Sequence, residues 1–78
     1  EIIIPENSWA VNKAIVEIGL PGEYLLVLIS RGQEFIIPNG SVVLLPGDKI
    51  LGLAEGPVHQ DVQGLLSLTV EPKPALKP

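Results

Sequence analysis

At 78 residues the chain has room for one domain, and a domain of that size buries only about 60–65% of the surface its unfolded form exposes. It has no cysteine, so neither a disulfide nor a thiolate metal site stabilises it. Nine acidic and five basic residues leave a net charge of −4, with the basic ones (Lys13, Arg31, Lys49, Lys73, Lys77) scattered. That excludes the clustered positive charge by which nucleic acid or an anionic membrane surface is gripped.

Apolar residues make up 46% of the chain, and the mean hydropathy of +0.41 is high for a monomer this small. The surplus apolar surface needs a cover, and a second copy of the chain is the simplest one. No apolar run approaches the ~18 residues that span a bilayer, and no signal peptide is expected among these residues. The chain opens at Glu1 and not at methionine, and we read it as a piece of a longer protein.

In chain order, the β-branched run Glu1–Ile4 reads as a strand ended by Pro5, and Pro5–Trp9 as a loop. Ser8 is placed to cap a helix over Ala10–Ile18, where Val11, Ile15 and Ile18 recur at helical spacing. Gly19 closes that helix, and Leu20-Pro21-Gly22-Glu23 turns the chain.

Tyr24–Ser30 is apolar on both alternating sets, as in a strand covered on both faces by its own domain or by a partner. Arg31-Gly32-Gln33-Glu34 is a tight reversal, with Gly32 free to take positive φ. Phe35-Ile36-Ile37 is a short return strand, which Pro38 ends or confines to an edge. Asn39-Gly40 is a second reversal, leading to a strand over Val42–Leu45. Leu45-Pro46-Gly47-Asp48 suits a type II turn, and Lys49–Ala54 makes a further strand. The expected topology is an antiparallel meander, since the loops are too short for crossover helices.

Glu55-Gly56-Pro57 breaks the pattern. Beyond it Val58–Leu66 fits a short helix with Pro57 near its first turn, while Leu65–Val70 fits a strand equally well. The segment 71–78 has three prolines in eight residues and no periodicity, so it reads as a disordered or extended tail.

No constellation for catalysis stands out. His59 is the only histidine and has no cysteine or second histidine beside it, so it reads as a solvated helix-start residue and no metal site is expected. Ser8, Ser30, Ser41 and Ser67 sit in no nucleophile elbow, and there is no glycine-rich phosphate loop. The expectation is a binding or assembly module and not an enzyme. Trp9 reads as a plug in the core or at an interface. Arg31 has two readings: an ordinary turn residue, or an anion anchor at the rim of an apolar groove, since a guanidinium offers a five-donor fork to phosphate or carboxylate.

These residues carry a family likeness. Glu1-Ile2-Ile3-Ile4-Pro5-Glu6-Asn7-Ser8, then Ala10-Val11-Asn12-Lys13, resembles the opening of the TrkA C-terminal domain, also called the RCK C-terminal domain. Ile18-Gly19-Leu20-Pro21, Leu26-Val27-Leu28-Ile29-Ser30-Arg31, Phe35-Ile36-Ile37-Pro38, Gly40 and Gly47-Asp48 follow that pattern in order and spacing. The likeness extends over residues 1–66, and residues 1–70 are expected to form the domain. It departs at Asn12, where many members have glycine, at Ala14, where Ser or Thr is usual, and at Val42, which replaces a common threonine.

The resemblance implies an α+β fold: a small antiparallel sheet or pseudo-barrel of about four to five strands with one or two short helices, paired into a homodimer. It implies a cytoplasmic regulatory module, at the inner face of the cell membrane, attached to the transmembrane portion of a potassium transport system or a cation/proton antiporter. A copy with no Rossmann half in view resembles the antiporter end most. Some members bind cyclic di-AMP between two such domains. The matching positions here are Arg31, Phe35, Ile36, Ile37, Pro38 and Asn39, with Leu28 and Ile29 as the apolar pair before them. A purely structural dimerisation module without a ligand is the alternative.

Overall fold

Isoleucines on four separate strands line up to form the centre of the domain. The computed structural model describes residues 1–72. It contains strands β1 (Ile2–Ile3), β2 (Leu25–Arg31), β3 (Glu34–Ile36) and β4 (Lys49–Leu53), with helices α1 (Ile15–Ile18) and α2 (Gly56–Ser67). The strands form one antiparallel open sheet in the order β1-β4-β2-β3, so the fold is α+β as expected. The register sets Ile2, Ile50, Ile29 and Ile36 side by side across all four strands. The first three are at most 4% exposed, and Ile36 packs against them from the edge.

The sheet order differs from the expected meander. After β3 the chain crosses to the far side of β2, so β4 sits in the middle and β1 closes the other edge. The strand expected at Val42–Leu45 does not form: its only ladder contact is an isolated bridge from Val43 to Ala14. Its backbone instead binds the segment after Trp9, with Asn12 N donating to Leu44 O, Leu44 N to Lys13 O, and Ile15 N to Val42 O, at 2.8–3.0 Å. The same bonds explain why the helix expected from Ala10 is only one turn, Ile15–Ile18. Asn12 takes φ 67°, which no helix tolerates, and its N–H points across to Leu44. Gly19 ends α1 at φ 75°, as its position requires.

Of the two readings after Pro57, the helix is the one that forms, and Pro57 lies in its first turn. Val62 and Leu66 of α2 are 0% and 1% exposed in the same core as the isoleucine row. The loop 5–9 holds the end of this helix. Ser8 Oγ donates to Leu66 O at 2.6 Å, Trp9 Nε1 to Leu65 O at 2.8 Å, and Trp9 N to Leu68 O at 2.8 Å. These bonds satisfy carbonyls at and just past the helix terminus, where the i+4 donor is missing; Leu65 O also accepts from Leu68 N at 3.3 Å. Ser8, the expected cap of the first helix, thus serves the last one, while also accepting from Ala10 N. Trp9 is buried in the core. Of the expected tail, only Glu71 and Pro72 fall within the described residues. No helix among them is long and apolar enough to cross a membrane.

Gly52 is required by packing. It lies opposite Leu26 on the inward face, and a Cβ there would fall inside the buried Tyr24 ring. Gly52→Ala should therefore cost about 1–3 kcal/mol through overpacking, read as a lower urea midpoint with an unchanged slope. An unaltered midpoint would mean that Tyr24 moves freely.

Candidate functional site

The only arginine sits at the last residue of β2 and is tied to a buried carboxylate. The β2–β3 hairpin turns on Gly32 at φ 60°, as its sequence demands, and sets Arg31 opposite Glu34. Seventeen residues on, Gly47 at φ 82° and the bond from Asp48 N to Leu45 O make the Leu45–Asp48 turn. That turn delivers Asp48, 1% exposed, to the guanidinium.

Arg31 Nε donates to Asp48 Oδ1 at 2.9 Å and Nη2 to Oδ2 at 2.8 Å, a bidentate pair, and Nη2 also donates to Val43 O at 2.9 Å. Leu45 N donates to Asp48 Oδ2 at 2.9 Å. The backbone joins in: Ile4 N donates to Asp48 O and Gly47 N to Ile4 O, which fastens the end of β1. One ion pair thereby ties β2, the crossing loop and β1 together.

Burial by itself would push the Asp48 carboxyl up. The Arg31 hydrogen bonds, the Leu45 N–H and the guanidinium charge outweigh it and hold the carboxyl below the usual carboxylate range. The same hydrogen bond to Asp48 raises the Arg31 pKa.

The sequence-expected ligand residues fall into two groups. Strand alternation puts Leu28 and Phe35 on the outer face of the sheet, away from the core. Ile29, Arg31 and Ile36 lie on the inward side, and Ile29 is 0% exposed, a core residue that offers a ligand no surface in a single chain. Phe35 and Ile37 are 73% and 76% exposed. Pro38 is half-buried, and Asn39 is exposed in a turn closed by Val42 N to Asn39 O at 3.1 Å. Arg31 and Phe35 are thus on opposite sides of the sheet. Among the described residues Nη1 is the Arg31 nitrogen with no acceptor, and it is what remains for an anion. The side chain is 32% exposed.

Sequence reasoning places Asp48 in a turn and in the family pattern but does not pair it with Arg31. Its signal was available: a sole arginine between apolar strands needs a counter-ion, and Asp48 follows the one Pro-Gly turn that faces it. His59, expected in solvent, is half-buried with its ring 6.5 Å from that of Tyr24. Among the described residues no group of three or more His, Cys, Asp or Glu could hold a metal ion.

The arrangement is that of a small α+β module whose strongest polar contacts hold its own loops. Comparison with known families agrees with that class. The model of the TrkA-C domain matches residues 1–53, from β1 to the end of β4, and the chain belongs to that family. TrkA-C domains are regulatory, non-catalytic domains of potassium transport systems.

The ion pair makes acid sensitivity predictable. Because the folded Asp48 pKa is depressed, its contribution is present above about pH 4, where an unfolded carboxyl titrates, and is lost as pH falls through the folded value. Asp48→Asn should cost about 3 kcal/mol at neutral pH, and the gap to wild type should shrink as pH drops below about 4. A gap constant from neutral to acid, in urea titrations at each pH, would contradict the assignment.

Proposed function

We propose that this chain is a dimeric, ligand-sensing regulatory module at the cytoplasmic face of the cell membrane. It is carried by a longer chain whose transmembrane portion is a potassium transport system or a cation/proton antiporter. The observation that carries this reading is the outer face of the sheet. Ile3, Leu25, Val27, Phe35, Leu51 and Leu53 are 39–73% exposed there. They share that face because the register aligns Ile3 with Lys49, Ser30 and Phe35, Leu51 with Leu28, and Leu53 with Leu25, while Val27 bulges out between. A sheet apolar on both sides, in a family that supplies regulatory domains, calls for a self-complementary partner, and a second copy offers one.

The ligand part of the proposal concerns the β3 side of that face. Phe35 to Asn39 run without a break along the chain, with Phe35 and Leu28 on that face and Ile36 turned inward. Arg31 Nη1 is open on the opposite side of the sheet at the hairpin end of β2, so that phosphate and bases would have to meet around that end. Ile29 supports this strip from within the core. Cyclic di-AMP or another nucleotide fits the chemistry: phosphate against the guanidinium, bases against apolar side chains. Binding would bias the transporter only by favouring one arrangement of the dimer over another. One observation favours a second reading, dimerisation without a ligand: the bond to Asp48 accounts for Arg31 by itself.

The test starts with sedimentation equilibrium at micromolar concentration. Wild type should be a dimer, and Leu53→Lys a monomer with an unchanged circular dichroism spectrum, since Leu53 is already 60% exposed in one chain. A wild type that stays monomeric sinks the dimer. Calorimetric titration of cyclic di-AMP, AMP and ATP into wild type and Phe35→Ala then addresses the ligand. Phe35→Ala is the cleaner variant, because Arg31→Ala would strand the buried Asp48 and unsettle the fold. Loss of one stacking contact should weaken binding roughly tenfold or more. No binding by any of the three leaves the ligand-free dimer, and equal binding to both proteins places the site elsewhere.

A further inference from the structure

The chain holds three asparagines, Asn7, Asn12 and Asn39, and all three are exposed. An asparagine can be attacked at Cγ by the backbone nitrogen of the residue that follows it, and the fold treats those three nitrogens differently. Ser8 N donates to Pro5 O at 3.1 Å, and Ser8 is buried. Lys13 N donates to Ala10 O at 3.1 Å. Gly40 N donates to no acceptor among the described residues, and it belongs to an exposed residue with no side chain to shield it.

The electrophile is also prepared. Asn39 Oδ1 accepts from Ser41 N at 2.9 Å and from Ser41 Oγ at 2.6 Å. Two donors on that oxygen stabilise the negative charge it gains when Cγ becomes tetrahedral, as an oxyanion hole does.

We propose that Asn39-Gly40 is a site of self-modification by deamidation. Gly40 N loses its proton to hydroxide and forms a bond to Asn39 Cγ; the C–N bond of the side-chain amide breaks, and the amine takes up a proton and leaves as ammonia. Water then opens the cyclic imide at either carbonyl, yielding aspartate or isoaspartate. The net reaction exchanges amide and water for acid and ammonia, with nothing oxidised or reduced. The product places a new carboxylate just past β3, beside Pro38 and the exposed Ile37, in a chain that is already acidic. Isoaspartate also lengthens the backbone inside the Asn39–Val42 turn. The site thereby records the age of the folded protein at the end of its exposed strand, whether or not a nucleotide binds there.

The experiment is incubation of the folded chain in warm, mildly alkaline buffer, followed by peptide mapping by mass spectrometry, beside a sample unfolded in urea. Asn39 should convert well ahead of Asn7 and Asn12 in the folded chain, giving both aspartate and isoaspartate, and at least as fast as in urea. Ser41→Ala should slow Asn39 by roughly tenfold, less than such a donor contributes in a dry site, and Ser41→Thr should keep the rate. Folding that protects Asn39 relative to urea would overturn the proposal. So would a Ser41→Ala variant that converts as fast as wild type.

Discussion

The bidentate bond between Arg31 and Asp48 is the constraint on which the rest of the domain depends. A carboxylate 1% exposed is tolerable only when each oxygen has partners. Here Oδ1 meets Arg31 Nε, and Oδ2 meets Arg31 Nη2 and Leu45 N. Satisfying Asp48 in that way brings the Leu45–Asp48 turn to the end of β2 and starts β4 alongside β2, with β1 on its other flank. The crossing segment is then close enough to the residues after Trp9 to bond with them. In a domain too small for a large core, this replaces some of what burial alone would supply.

The same order gives the sheet two unlike apolar faces. The inward isoleucine row is closed over by Trp9, Tyr24, Leu44 and the α2 residues Val62 and Leu66. The outward face keeps its leucines, Ile3 and Phe35 in solvent. The family match ends at residue 53, yet α2 completes the inward core from beyond it and is anchored by the Ser8–Trp9 loop from the chain's other end. The face proposed above for a partner is therefore the uncovered side of a sheet whose other side is already satisfied.

Local chemistry was legible in the sequence. Gly19, Gly32 and Gly47 all take the positive φ their turns called for, and the short strand after Gly32 and the helix after Pro57 stand where expected. The both-faces apolar pattern of Tyr24–Ser30 led to the expectation of cover on two sides, and the single chain covers only one. What failed was decided by contacts far apart in sequence. The helical spacing of Val11, Ile15 and Ile18 gave way to backbone bonds with Val42 and Leu44, so a helix shortened and a strand vanished for one cause. The meander failed because neighbouring strands in sequence were separated by the demand of Asp48 for Arg31, a pairing seventeen residues apart. Of the candidate ligand residues, alternation along β2 and β3 already implied that Arg31 and Phe35 fall on opposite faces. Their nearness in sequence concealed it.

A double-mutant cycle on the ion pair measures its role most directly. Urea unfolding of wild type, Arg31→Met, Asp48→Asn and the double variant at neutral pH isolates the coupling between the two side chains. A coupling of about 2 kcal/mol or more, with the double variant scarcely less stable than either single one, is the result expected of a buried bidentate pair. Additive losses, with a coupling below about 0.5 kcal/mol, would show two independent residues and contradict the account.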